Sequence, residues 1–238
     1  METGAGIRFW KRAALTVAAA VGFGTTLSPP VVTDSAAGLA DACACHPVHV
    51  EAGERVTRLT EAAGEYAQLV SPAYDEVAEQ VVARAAAAGE LGKLDLAALT
   101  AWKRLRADTP WMARLMGTAD EEVRRHTRRA LASARDELLS VPEAARAARS
   151  ALTPLPGFGH GDALASAVCF AAAPHRLAVY DRRAHRALGR IGLLLDGRPG
   201  RYGRYLELIQ QCRRELADHG SIWSAREVDQ ALYRIGRE

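Results

Sequence analysis

The sequence predicts an all-α protein, and three observations carry that prediction. Alanine and arginine, both good helix formers, are abundant, while β-branched runs are scarce and aromatic residues make up 6% of the chain. From about Glu51 onward apolar residues recur at spacings of three and four, the helical period. No segment reads as a strand longer than a few residues, and no internal repeat is present. With 238 residues and 49% hydrophobic content, the chain can bury a sizeable core. Its length fits one large domain, or one domain plus an appendage.

The appendage is residues 1–50. Arg8, Lys11 and Arg12 precede an apolar run, 13–27, interrupted by Gly22 and Gly24. A basic flank before a short apolar run is the pattern of a secretory signal, with Ser35-Ala36-Ala37 as a small-residue cleavage point. The run is too short and too glycine-rich for a membrane span. The other reading is a loosely ordered extension of a cytoplasmic protein. Ser28-Pro29-Pro30 breaks any helix, and 31–49 reads as linker. Cys43, Cys45, His46 and His49 are soft ligands, but their spacing matches no zinc motif, so no metal is expected.

The helical domain is expected over 51–238. Helices are predicted over 56–69 and 73–88, with Pro72 suited to the first turn of the second. After a break at 89–95 a third runs over 96–106 and stops before Asp108-Thr109-Pro110. Asp108 or Thr109 can cap a short segment carrying Trp111, Met112 and Leu115. The next, 121–134, has acids in its first turn and Arg124, Arg125, Arg128 and Arg129 beyond, the charge order that suits the helix dipole. Pro142 opens a helix over 143–152. A nearly all-apolar helix over 163–173, including Cys169, should be buried. Helices over 182–190, 204–217 and 225–237 close the chain. Tyr205, Leu208, Ile209 and Cys212, then Val228, Ala231, Leu232 and Ile235, form their core-facing stripes.

Net charge is only +3, but it is unevenly placed. Residues 176–238 hold 13 Arg and no Lys against 8 acids. Guanidinium forks match phosphate oxygens, so this half can track a nucleic-acid backbone.

The helices over 143–152 and 163–173 are joined by Leu155-Pro156-Gly157-Phe158-Gly159-His160-Gly161-Asp162. Pro154 and Pro156 end the first helix. The three alternating glycines allow positive φ and close approach to another surface, and Asp162 can cap the second helix. A glycine turn opening onto a helix N-terminus suits an anion such as phosphate.

Leu-Pro-Gly-Phe-Gly resembles the hairpin of the helix-hairpin-helix DNA glycosylases, and Asp181 in Leu177-Ala178-Val179-Tyr180-Asp181-Arg182-Arg183 is similar to their catalytic aspartate. The resemblance is clearest over about 142–195 and extends, through helix order, from about 94 to the C-terminus. It implies a multi-helix fold of the 8-oxoguanine-glycosylase type with a central cleft. The implied function is release of a damaged or modified base from duplex DNA by a monomer without cofactor. Gly157, Phe158, Gly159, His160, Gly161, Arg182 and Arg183 are then the expected DNA contacts. Iron–sulfur members carry four close cysteines near the C-terminus; only Cys212 lies there, so no cluster is expected.

Base excision needs the base turned out of the duplex and stacked in a pocket. A carboxylate beside the sugar, here Asp181, stabilises the positive charge that develops as the base leaves. Asp181 is also placed to cap the helix over 182–190. Two departures from the family pattern matter. Bifunctional members place an amine nucleophile just after the hairpin glycines, where this chain has Gly161, so a monofunctional hydrolytic mode is expected. Tyr180 intervenes where the family has Val-Asp. Trp102, Trp111, Trp223 and Tyr233 are candidate stacking rings, and Lys103, next to Trp102, is an amine that can replace the missing one in space. Two other readings stand beside this one: a non-catalytic module whose hairpin grips phosphates, and an exported helical protein.

Overall fold

The computed structural model describes residues 50–159 and 161–237, all within one unit, Cys45–Glu238. The signal-like run, the Cys43–His49 cluster and His160 lie outside the described residues. Within them the fold is all-α: ten helices, one 3₁₀ turn and no strand. No helix among them is long and apolar enough to cross a membrane.

In order these are α1 (Ala52–Leu69), the 3₁₀ turn Pro72–Tyr74, α2 (Glu76–Ala88), α3 (Lys93–Trp102), α4 (Pro110–Gly117) and α5 (Asp120–Arg135). Then come α6 (Val141–Leu152), α7 (Ala163–Ala172), α8 (Arg182–Arg190), α9 (Arg201–Asp218) and α10 (Ala225–Ile235).

Two packing centres organise them. The first is α7, nine of whose ten residues are buried. Its small side chains let α2, α3, α5 and α6 pack around it. The second is α10, held by α1, α8 and α9. The α6–α9 contact joins the two groups. Ion pairs across elements, such as Arg55 to Glu215 between α1 and α9 at 2.7 Å, add register to this apolar packing.

Three local expectations are corrected. The third helix stops at Trp102, not Arg106. The chain closes it with a left-handed residue, Arg104 (φ +52), while Leu105 N–H reaches back to Thr100 O and Arg104 N–H to Ala101 O. That hydrogen-bond pair is a Schellman motif, with arginine where glycine is usual. Pro72 opens the 3₁₀ turn, and α2 begins only at Glu76, because the turn bonds are of the tighter type. Asp162 stands at the N-cap of α7 but accepts no cap hydrogen bond: its carboxylate is taken by Arg149 and Arg201, at 3.1 and 2.8 Å.

Candidate functional site

Between α7 and α8 the chain crosses the interior as residues 177–180 without regular structure, and its backbone groups need partners there. Side chains supply them. The Tyr202 hydroxyl donates to Ala178 O (2.9 Å) and the Tyr205 hydroxyl to Val179 O (3.3 Å). Asp229 accepts the Val179 N–H (2.8 Å) and Ser166 Oγ accepts the Tyr180 N–H (2.9 Å). Four buried side chains from α7, α9 and α10 thus fix the segment that delivers Asp181.

Asp181 is the N-cap of α8, in extended conformation, with Oδ1 accepting the Arg183 N–H at 2.8 Å. Oδ2 accepts from Lys103 Nζ at 3.2 Å, across 78 residues of sequence. The lysine side chain is 10% exposed and the aspartate 28%, so the pair sits at the bottom of a depression and not on open surface. Burial disfavours the ionised carboxyl. The Lys103 charge, the Arg183 amide and the Lys103 hydrogen bond outweigh it, and the pKa of Asp181 falls below its ordinary value.

Lys103 is held by the end of α3. It is the C-cap residue, and Arg104 turns the chain immediately behind it. Arg104 is the one non-glycine residue with positive φ among those described. A left-handed L-residue costs roughly 1–2 kcal/mol. Its guanidinium lies 5.0 Å from the centre of the Tyr74 ring.

Below this pair lies a buried charge cluster. Arg226 bonds Asp229 (2.7 Å) and Asp75 (3.0 Å), and its guanidinium stands 5.2 Å from the centre of the Trp102 ring. Trp102 Nε1 donates to the same Asp75. Burial pushes the Asp229 carboxyl up to about 6, against the pull of Arg226 and of the Val179 amide.

Three neighbouring cavities lie along this part of the fold, and Asp181 lines two of them. The innermost, about 300 Å³, is walled by Tyr66, Tyr74, Trp102 and Tyr233, with Lys103, Asp181, Arg226 and Asp229 also lining it. The middle one, about 790 Å³, shares Lys103, Asp181 and Tyr233 with it and adds Arg182, Arg183 and Arg186. Five cations line this middle cavity, and its one carboxylate is Asp181. The outer one, about 330 Å³, shares Leu105, Ala163, Tyr180 and Arg182 with the middle one and reaches Gly157, Gly161 and Trp111.

Comparison with known proteins gives no match, whether to a family model, a curated protein or a solved structure. What the site does is therefore read from its own geometry.

The structure brings some of the predicted site residues together and separates others. Asp181, Lys103, Arg182, Arg183 and Tyr233 share the middle cavity. Gly157 and Gly161 lie on the outer one, with positive φ of 89° and 77°; Gly159, also in the turn and exposed, does not need that region. Phe158 is corrected: its ring is 1% exposed and fills the core beneath the turn, so it cannot contact DNA. Trp102 lines the inner cavity but packs against Phe170 at 5.8 Å and is 5% exposed, a wall and not an open stacking platform. Trp111 packs on Gly157, where a Cβ would lie 2.2 Å from its ring, and lines the outer cavity and not the inner one. Trp223 packs partly buried on the core and lines none of the three cavities. Among the described residues no three metal-ligating side chains converge.

Sequence reasoning missed Tyr66, Tyr74, Arg104, Arg226 and Asp229. Asp229 left one trace: it interrupts the apolar stripe of α10, where a carboxylate needs a buried partner.

Proposed function

We propose that the chain is a DNA-binding, base-excising enzyme of the helix-hairpin-helix glycosylase type, acting as a monofunctional hydrolase on a damaged or modified base. The observation that carries this reading is the middle cavity: five cations around one ionised carboxylate, open on one side to an aromatic-walled pocket and on the other to a glycine turn. A phosphodiester strand matches the cations and the turn. A base turned out of the helix matches the inner pocket.

In this reading Arg182 and Arg186, both exposed, hold phosphates flanking the target. Asp181 faces the sugar. As the glycosidic bond lengthens, positive charge gathers on the sugar ring, and a fixed carboxylate stabilises it without reorganising. The same carboxylate, through a lone pair its two partners leave free, orients the attacking water. Lys103 keeps Asp181 ionised before substrate arrives.

A second reading keeps the DNA and drops the chemistry. It is favoured by the fact that both carboxylate oxygens of Asp181 already have partners, one in the α8 cap and one on Lys103. Duplexes each carrying one modified base separate the two. Chromatography of free base after incubation shows a product in the first case. In the second, salt-sensitive binding occurs with no product from any duplex.

A further inference from the structure

The inner cavity also says which bases fit it. Resting on the glycosylase reading, we infer that this pocket takes an uncharged or acidic base whose edge carries carbonyl oxygens, a deaminated purine above all, and rejects cationic alkylated bases.

The first argument is the hydrogen-bond inventory. The carboxylates lining the cavity are Asp181 and Asp229. Each has both oxygens occupied: Asp181 by Arg183 N–H and Lys103, Asp229 by Arg226 and Val179 N–H. Each of these oxygens thus already accepts one hydrogen bond from the protein and keeps reduced capacity for a base's amino group. Free donors remain. The ammonium of Lys103 uses one of its protons on Asp181, and the Tyr66 hydroxyl makes no hydrogen bond to any described residue. A donor-rich pocket pairs with carbonyl oxygens.

The second argument is charge. Lys103, Arg104, Arg226 and Arg237 line the cavity against two carboxylates. A base bearing a positive charge enters against that excess, and an imide that ionises easily enters with it.

The third argument concerns the rings. Aromatic pockets attract cations through the ring faces. On three of the four rings that wall the cavity the protein's own guanidinium groups already hold that position: Arg104 on Tyr74 at 5.0 Å, Arg183 on Tyr233 at 5.0 Å and Arg226 on Trp102 at 5.2 Å. A cationic base therefore finds that place taken on most of the wall. The volume, about 300 Å³, is at the small end of ligand pockets, room for one base and not for a pair.

The test uses the full chain and duplexes holding one xanthine, hypoxanthine, N7-methylguanine or 3-methyladenine. Base release is followed in single turnover. Binding is followed by fluorescence anisotropy on the same duplexes with a 2′-fluoro sugar that resists cleavage. Xanthine and hypoxanthine are expected to be released and bound about tenfold better than either cationic base, and Tyr66→Phe is expected to remove most of that preference. Preferential release of the methylated bases overturns the pocket assignment and leaves the glycosylase reading standing. Preferential binding of xanthine and hypoxanthine with no release from any duplex does the reverse. Equal binding of all four, or a preference unchanged in Tyr66→Phe, overturns the inference.

Discussion

At the scale of single residues, the most informative feature is a left-handed arginine. Arg104 occupies the position where glycine ends a helix most cheaply, and it does so directly behind Lys103. Strain of this kind persists where surrounding contacts over-determine it, and such positions collect at functional sites. Arg104→Gly removes the steric cost, so it is expected to stabilise the fold by up to about 1 kcal/mol and raise Tm by about 2–4 °C. The same change takes a cation from the cleft, so DNA affinity should fall while thermal stability rises. A lower Tm would show that Arg104 is structural. Asp229 gives a second test. Burial raises its carboxyl to about 6, above the value of about 3.9 in an unfolded chain. Between these values the unfolded state has lost the proton and the native state keeps it, so this group makes stability fall as pH rises. The Tm of the wild type minus that of Asp229→Asn should therefore be largest near pH 4 and shrink through pH 6. A difference that grows over that range would contradict the assignment.

At the scale of elements, Asp181 depends on where α8 begins, and that depends on how closely α10 approaches. At the end of α10, Gly236 lies so near α8 that a Cβ there would sit 2.0 Å from the Arg183 carbonyl oxygen. Backbone cannot yield as a side-chain tip does. Gly236→Ala is expected to cost roughly 1–3 kcal/mol by overpacking. It should also shift the start of α8, so that base release falls by more than the stability loss explains; release unchanged at a temperature where the variant is folded would mean α8 does not depend on this contact. How legible these elements were varied with the physics behind each. The burial of α7 was readable because a helix with no polar face has nowhere else to go. The end of α3 was misplaced because Arg104 is a good helix former by composition, and only the three-dimensional turn reveals its left-handed state. The hairpin glycines were readable as a turn, but Phe158 looked like part of its exposed tip and proved to be its anchor in the core. Lys103 was nameable as an amine near an aromatic residue, yet its pairing with Asp181 spans 78 positions and no local pattern encodes that. The polar side chains that bolt down residues 177–180 were invisible for the same reason, since each belongs to a helix whose pattern reads as ordinary core.

At the scale of the whole molecule, the described domain is two helix groups, one around α7 and one around α10, with the charged cleft lined from both. The turn comes from the first group, Asp181 from the start of α8 in the second, and Lys103 from the end of α3 in the first. The side chain of Asp181 and the amine of Lys103 meet only because the two groups pack as they do. The site is thus a property of the assembled fold and is lost with it. The central claim is that this one carboxylate, among five cations, carries chemistry and does not merely cap a helix. Single-turnover base release by the wild type and by Asp181→Asn, at matched occupancy of one lesion duplex, tests that most directly. The account predicts a loss of about 10²–10³ in rate for the variant, with its DNA affinity kept; an equal rate in the two proteins, or no release by the wild type from any lesion duplex, would contradict it.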